Sequence, residues 1–463
     1  MTEITSTWQT FTLANLPRYQ WRGGSWVFRL LAFVSGWREG SWIISQWGET
    51  LGALLIAVVL ALGPFVSTTL IGALLAAIGG YWMLVTLADE RGGSWGATPI
   101  HYVLLLYVGI VALATAFSPV KMAALSGLIK LVLYLFFLVL AARVLRSSRL
   151  RSWAIAVFLL TALVVSVYGI RQELHGVEQL ATWNDPTSEL AGATRVYSYL
   201  GNPNLLAGYL LSAIAFSFAA FWVWRGWVPK ILAGTMTLAH LACLYYTGSR
   251  GGWLAAIAMG FTFSLLLYFW WREKLPRFWQ VWLLPIVFGG FTLFLAVAVA
   301  SVEPLRLRVQ SMFAGRDDSS INFRLKVFEA VFEMIRDRPL LGIGAGNSAF
   351  NQVYPFYMRP GYTALSAYSI FLETIVETGF IGLTVFLWLI VVTFNWGIRP
   401  LKQLRDSENL QGFWLMASIA AIAGLLVHGA VDTVWYRPPI QCLWWFVVAI
   451  VASFPLSKIE TNS

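Results

Sequence analysis

The chain has 463 residues, of which 58% are hydrophobic and 12% charged, against roughly 25% charged in an average soluble domain. A mean hydropathy of +0.70 excludes a water-soluble fold. The formal charge of +10 needs no nucleic-acid partner, because Lys and Arg gathered in short loops between membrane spans produce it. An all-α, polytopic integral membrane protein remains, since helices satisfy their own backbone in lipid.

Residues 1–49 contain Arg18, Arg22, Arg29 and Arg38 among scattered Trp but no apolar core with a small-residue cleavage site. They read as a cytoplasmic N-terminal segment, not a cleaved signal. Residues 50–455 form the transmembrane domain. Apolar runs predict about twelve spans, near 51–67, 69–88, 100–117, 123–142, 152–170, 204–223, 228–247, 252–271, 279–300, 379–397, 412–430 and 438–455. Each suits the roughly 20 residues that cross a hydrocarbon core of about 30 Å. Gly63-Pro64 and Ser67 are the only break between the first two runs, so one kinked or re-entrant element is the alternative there. Residues 456–463 form a short tail, cytoplasmic like the N-terminus.

Charge orients the spans. With the N-terminus inside, Arg143, Arg146, Arg149 and Arg151, then Arg225 and Lys230, then Arg272, Lys274 and Arg277, then Arg399, Lys402 and Arg405 all fall on the cytoplasmic side of an inner membrane. The outer face receives the long connections 171–203 and 301–378 and the turn carrying Gly248-Ser249-Arg250-Gly251-Gly252. In the larger loop, Ser319 or Ser320 caps an expected helix with Phe323, Val327, Val331 and Met334 on one face, stopped by Pro339. A second helix is expected from Tyr362 to Thr378, with Ser366, Ser369, Glu373 and Glu377 on one stripe and Ala364, Tyr368, Phe371 and Ile375 on the other.

Several residues carry candidate chemistry. Arg250 between glycines suits a carboxylate, bicarbonate or diphosphate, or else anchors a helix end to lipid headgroups. Arg324, placed in the first turn of its helix, opposes the helix dipole and needs a partner: an anion, or Asp317, Asp318 or Glu329. His428 and Asp432, four apart, form either a structural pair or the edge of a polar site. His101 and His240 read as buried hydrogen-bonded side chains and His175 as a solvated loop residue. Asn202 caps the helix that follows Pro203 or lines a polar mouth. Gly342-x-Gly344-x-Gly346 lacks a preceding strand and reads as a turn, not a nucleotide fingerprint. Cys243 and Cys442 lie inside apolar runs as core residues, and neither zinc spacing nor a Walker motif occurs, so no metal and no cofactor are expected.

Gly248-Ser-Arg-Gly-Gly-Trp253, the stretch from Phe323-Arg324 through Arg338-Pro339-Leu340-Leu341-Gly342, and Leu372-Glu373 through Glu377-Thr378-Gly379 resemble the O-antigen ligase and polymerase superfamily over roughly residues 195–395. More narrowly, Tyr197 to Leu206, Asp318 to Arg324, Thr363 to Ser369 and His428 through Pro438 look like the cyanobacterial IctB group, named for bicarbonate (inorganic carbon) transport. The resemblance implies two activities. In superfamily ligases two arginines hold the diphosphate of a polyprenyl-linked glycan at the outer face, and a His in a His-Asn pair acts as base without a metal. Arg250 and Arg324 match the arginines. The His-Asn position falls on Tyr368-Ser369, so the expected base is missing, and a phenol of pKa near 10 is a poor substitute. Glu373 or Glu377 can replace it only if burial raises its pKa.

The narrower resemblance sets the order of expectations. First comes inorganic carbon accumulation through an outward-facing anion site built from Arg250, Arg324 and His428, with bicarbonate and membrane lipid as partners. The alternative is a metal-independent ligase or polymerase acting on a polyprenyl-diphosphate-linked glycan, or a non-catalytic relative of one.

Overall fold

The computed structural model describes residues 2–14, 40–87, 97–177, 195–313, 319–432 and 434–454. Among them the regular elements are helices, with no strand. A short α1 (Thr2–Phe11) precedes nine long apolar helices: α2 (Trp42–Leu62), α3 (Thr68–Leu87), α4 (Pro99–Ala116), α5 (Lys121–Val144), α6 (Ser148–His175), α7 (Pro203–Val223), α8 (Trp227–Tyr246), α9 (Arg250–Trp271) and α10 (Arg277–Ser301). The large loop holds α11 (Glu303–Phe313), α12 (Ser319–Asp337) and α13 (Asn347–Val353), and the chain returns through α14 (Ile370–Asp406), α15 (Gln411–Val431) and α16 (Pro438–Ser453).

Eleven of these helices are long and apolar enough to cross a membrane, and α16, at 16 residues, is a shorter apolar helix. All twelve expected runs are therefore helical. Gly63, Pro64 and Phe65 form a turn that separates α2 from α3, which removes the single kinked element considered above. The first span starts at Trp42, earlier than expected, where Ser41 accepts the Ile44 N–H as N-cap. The N-terminal α1 lies against α14: Trp8 Nε1 donates to Asn395 Oδ1 at 3.0 Å, and Trp388 Nε1 donates to the Phe11 carbonyl at 2.8 Å. Arg18, Arg22, Arg29 and Arg38, residues 178–194, Asp317, Asp318 and the tail 456–463 lie outside the described residues.

The core is built on α7 and α15, most of whose apolar stretches are buried, while α10 buries no residue. Small residues set the core spacing. A Cβ on Gly252 would sit 2.7 Å from that of Ala207, so glycine lets the start of α9 touch α7 directly. On the same turn a Cβ on Gly251 would lie 3.0 Å from Val431 and 3.1 Å from the His428 ring.

The large loop docks by backbone pairing. The α12 helix forms where expected and ends at Asp337 before Pro339, with Val327, Ala330, Val331 and Met334 in a second core against Phe350 and Tyr354. Ile343 and Gly344 donate to the carbonyls of Val376 and Glu377 at 2.8 and 3.0 Å, and Phe380 donates to Pro339 at 2.8 Å. Gly379, at φ +67°, kinks α14 there and leaves room for the Leu340 backbone. The expected helix from Tyr362 is corrected: α14 begins only at Ile370, and Tyr368 has φ +52°. A residue in the left-handed region cannot continue a right-handed helix, so Ser366, Ser369 and Tyr368 are not arrayed as helical stripes. Glu373 and Glu377 are on the helix, as expected.

Candidate functional site

Four arginines from four separate segments converge on one face of the bundle, where the loops 171–203 and 301–378 and the α8–α9 turn meet. Arg195 precedes the turn into α7, Arg250 opens α9, Arg308 lies on α11, and Arg324 lies on α12. The knot is Gly248. Its φ of +58° turns the chain from α8 into α9, and its carbonyl accepts two bonds from Arg308, from Nε at 3.2 Å and Nη2 at 2.8 Å. A Cβ there would stand 2.8 Å from Arg308 Nη2 and 3.4 Å from Arg195 Nε, so a side chain would split the cluster.

Arg195 is held by the Thr247 carbonyl and by Asn204 Oδ1, both at 3.0 Å. Burial first, then Arg308, Arg250 and Arg324, push its pKa down to about 9, and Asp432 partly opposes them. A guanidinium stays protonated at neutral pH despite such a shift. The direction means that the positive charge is held there at a cost, which an anion offsets. Ser249 caps α9 by accepting the Gly252 N–H, so the first turn of α9 is fixed and aims Arg250 at α11. Arg250 Nη1 donates to the carbonyl and the hydroxyl of Ser311 at 3.0 and 3.1 Å.

Arg324 pairs with Asp432, Nη2 to Oδ2 at 3.0 Å, and lies 5.9 Å over the Tyr368 ring. With α12 starting at Ser319, Arg324 sits in the second turn, beyond the strongest reach of the helix dipole. Glu329, one of its expected partners, instead binds Lys326 and Arg359. Asp432 is not on the same helix face as His428. The α15 helix ends at Val431, and Asp432 is extended, which turns its carboxylate to Arg324. His428 is fully buried between α7 and α9, and neither ring nitrogen has a hydrogen-bond partner among the described residues. The structure thus brings Arg250 and Arg324 into one cluster and packs His428 beneath it, against Gly208 and Gly251.

Tyr368 is wedged edge-on against Phe323, with ring centroids 5.7 Å apart. Burial and Asp432 push its pKa up to about 12, with Arg324 opposing, so the phenol stays protonated at neutral pH. Glu373 and Glu377 lie elsewhere. They face Tyr107 of α4, and Glu377 also meets the Gly346 backbone N–H. Among the described residues no group of three or more His, Cys, Asp or Glu could hold a metal ion.

The other sequence expectations sort cleanly. Asn202 caps α7 by accepting from the N–H groups of Asn204 and Leu205. His101 bonds Thr98, His240 bonds Ser166 at 2.8 Å, and His175 is exposed at the end of α6. Gly342, Gly344 and Gly346 all have positive φ in a turn, and both cysteines are buried and free. Arg195 and Arg308 escaped sequence reading. The available signals were faint: Arg195 stands two residues ahead of the Tyr197 segment, and Arg308 is one of two arginines in a short amphipathic run.

The O-antigen ligase family model matches residues 235–387, a third of the chain that includes Arg250, Arg308 and Arg324. Over that stretch the chain is similar to O-antigen ligases, and its eleven long apolar helices make it a multi-pass membrane protein. No curated protein matches its sequence.

Proposed function

We propose that the arginine cluster binds the diphosphate of a polyprenyl-linked glycan, and that the protein works as a metal-independent glycan ligase or polymerase of the O-antigen ligase kind. The observation that carries this reading is the convergence of Arg195, Arg250, Arg308 and Arg324 around Asp432 at the mouth of the bundle. Planar guanidinium forks match phosphate oxygens two at a time. Several forks suit a ligand with two phosphates better than a singly charged oxyanion. By the distribution of basic loops this face is the outer one of an inner membrane, where lipid-linked glycans are consumed by ligases.

Tyr368 stands where a ligase would carry its imidazole, and its protonated phenol supplies no base. That single observation favours a second reading, in which the cluster serves a small anion such as bicarbonate and no transfer occurs. One experiment separates them. The purified chain in lipid nanodiscs is given a polyprenyl-diphosphate-linked glycan and an acceptor, and the same chain in proteoliposomes is given labelled bicarbonate. Glycan transfer that is lost in Arg324→Ala supports the first reading. Arginine-dependent bicarbonate flux without donor binding overturns it in favour of the second.

A further inference from the structure

On the opposite face of the bundle, between the N-terminal ends of α6, α8 and α15, lies a cavity of about 810 Å³. Its lining includes Ser148 and Ser152 of α6, Trp224 and Arg225 of the α7–α8 turn, Glu408 and Asn409 of the α14–α15 turn, and Gln411 at the start of α15. We propose that this cavity is an oxyanion site for a phosphate group, supplied by the head group of an anionic phospholipid in the adjoining leaflet. It is separate from the arginine cluster and independent of the function proposed for it.

Four observations carry the assignment. First, the N-terminal ends of three helices meet at one cavity, and a helix N-terminus carries partial positive charge. The α8 helix has no side-chain cap hydrogen bond, whereas Asn409 Oδ1 accepts the first N–H of α15, that of Gln411. Second, Arg225 is exposed at the rim and bonds to no described residue. Third, Arg151 lies behind the cavity wall at 3% exposure, and its contacts are the Leu145 carbonyl, Gln411 Oε1 and the Phe454 ring. None of these carries negative charge. A buried guanidinium without a carboxylate raises the potential on the cavity side of Gln411. Fourth, Ser152 Oγ already accepts from Gln411 Nε2 and Trp414 Nε1, so its own proton is directed elsewhere as a donor.

The one acid on the lining is Glu408, which is ion-paired with Lys274 and so contributes little net charge. The volume exceeds what a bare phosphate fills. Trp224 and the 80% exposed Trp227 mark the depth at which indole rings meet lipid head groups. Together these favour a phosphate tethered to a glycerol backbone over a free ion.

The test uses the full-length protein in detergent. Native mass spectrometry and thermal unfolding are followed during titration with phosphatidylglycerol, phosphatidylcholine and inorganic phosphate, for the wild-type chain, Arg225→Gln and Ser152→Ala. Retention of phosphatidylglycerol over phosphatidylcholine, weakened on the order of tenfold or more in Arg225→Gln with unliganded Tm unchanged, supports the site. Protection by inorganic phosphate alone, lost in the same variant, keeps the oxyanion site but overturns the lipid as its source. Equal retention of both lipids, or phosphatidylglycerol binding indifferent to both substitutions, overturns the proposal. Arg225 is exposed and Ser152 only half-buried, so neither change is expected to stop folding. Arg324→Ala should leave the lipid titration unmoved, which separates failure here from failure of the proposed function.

Discussion

The two faces of the bundle use arginine in different ways. On the face of the short basic loops, cations pair with carboxylates: Arg143 with Glu49 at 2.8 Å, Arg405 with Glu273 and Asp406 at 3.0 Å, and Lys274 with Glu408. These pairs join a cation to a carboxylate, Arg143 and Glu49 across 94 positions and Lys274 and Glu408 across 134. On the other face Arg195, Arg250, Arg308 and Arg324 come from segments up to 129 positions apart, and three of them bond to carbonyls, hydroxyls or amides. An arginine on the first face records topology, and an arginine on the second builds a site.

The largest expected effect tests that contrast directly. Arg250→Ala and Arg324→Ala should each weaken binding of a polyprenyl diphosphate on the order of ten- to a hundredfold, since a hydrogen bond to a charged group is worth about 1.5–3 kcal/mol. Lysine at either position should also be impaired, because an ammonium lacks the planar fork. Arg143→Ala, on the other face, should leave binding unchanged. Scintillation proximity binding with labelled lipid would decide it, and equal loss in all three variants would erase the distinction between the faces.

Next in size is packing beneath the cluster. A Cβ at Gly251 would lie 3.0 Å from Val431 and 3.1 Å from the His428 ring, closer than ordinary van der Waals contact, whereas Gly260 on the same helix and Gly290 on α10 have nothing within 4 Å of an added Cβ. Gly251→Val should therefore lower stability by about 1–3 kcal/mol, the usual cost of overpacking a filled core. Gly260→Ala and Gly290→Ala should be nearly silent. Thermal unfolding in detergent gives the ranking, and a silent Gly251→Val would show that α9 does not need its close approach to α15.

A smaller and opposite effect is expected at Arg195. Burial and its neighbours disfavour its charge, so Arg195→Gln should raise the Tm of the unliganded protein. The same variant should lose most of the Tm increase that a diphosphate ligand gives the wild type. Stability gained together with ligand response lost is the signature of a group placed for binding. Lower Tm with ligand response intact would instead make Arg195 a structural tie between Thr247 and Asn204.

What the sequence revealed follows the same division. The twelve apolar runs were legible because each is a local property, set by hydropathy and length. Arg250 and Arg324 were legible through their flanking motifs, and Asn202 as a cap through the Asn-Pro step. Three things were hidden by their dependence on distant chain. The start of α14 at Ile370 depends on the left-handed Tyr368, which a helical periodicity count cannot see. Asp432 turns to Arg324 because α15 ends one residue earlier than a continuous helix would. Arg308 reaches the Gly248 carbonyl from 60 positions away, and Arg195 reaches the neighbouring Thr247 carbonyl from 52.

The smallest expected effect concerns Tyr368 and bears most on mechanism. Its pKa is raised to about 12 by burial and Asp432, from about 10 for a free phenol. A group whose folded pKa is raised contributes stability that is intact below pH 10 and is lost as pH rises through 12. Across pH 6–9 it neither titrates nor accepts a proton. Tyr368→Phe should then leave ligand binding unchanged and stability within about 1 kcal/mol, because the ring contact with Phe323 survives and only a hydroxyl is lost. The informative partner is the double change Tyr368→His with Ser369→Asn. Position 368 holds φ +52°, a region that His enters more readily than most residues, so the backbone tolerates the exchange. The imidazole would then stand beside Arg324 and Asp432 with a pKa near neutrality. If the protein is a ligase limited by its base, transfer should rise in the double variant and follow a sigmoidal pH profile that the wild type lacks. If transfer stays absent while diphosphate binding persists, the arginine face is a binding site without the chemistry of a ligase, and the small-anion reading gains at the expense of the first.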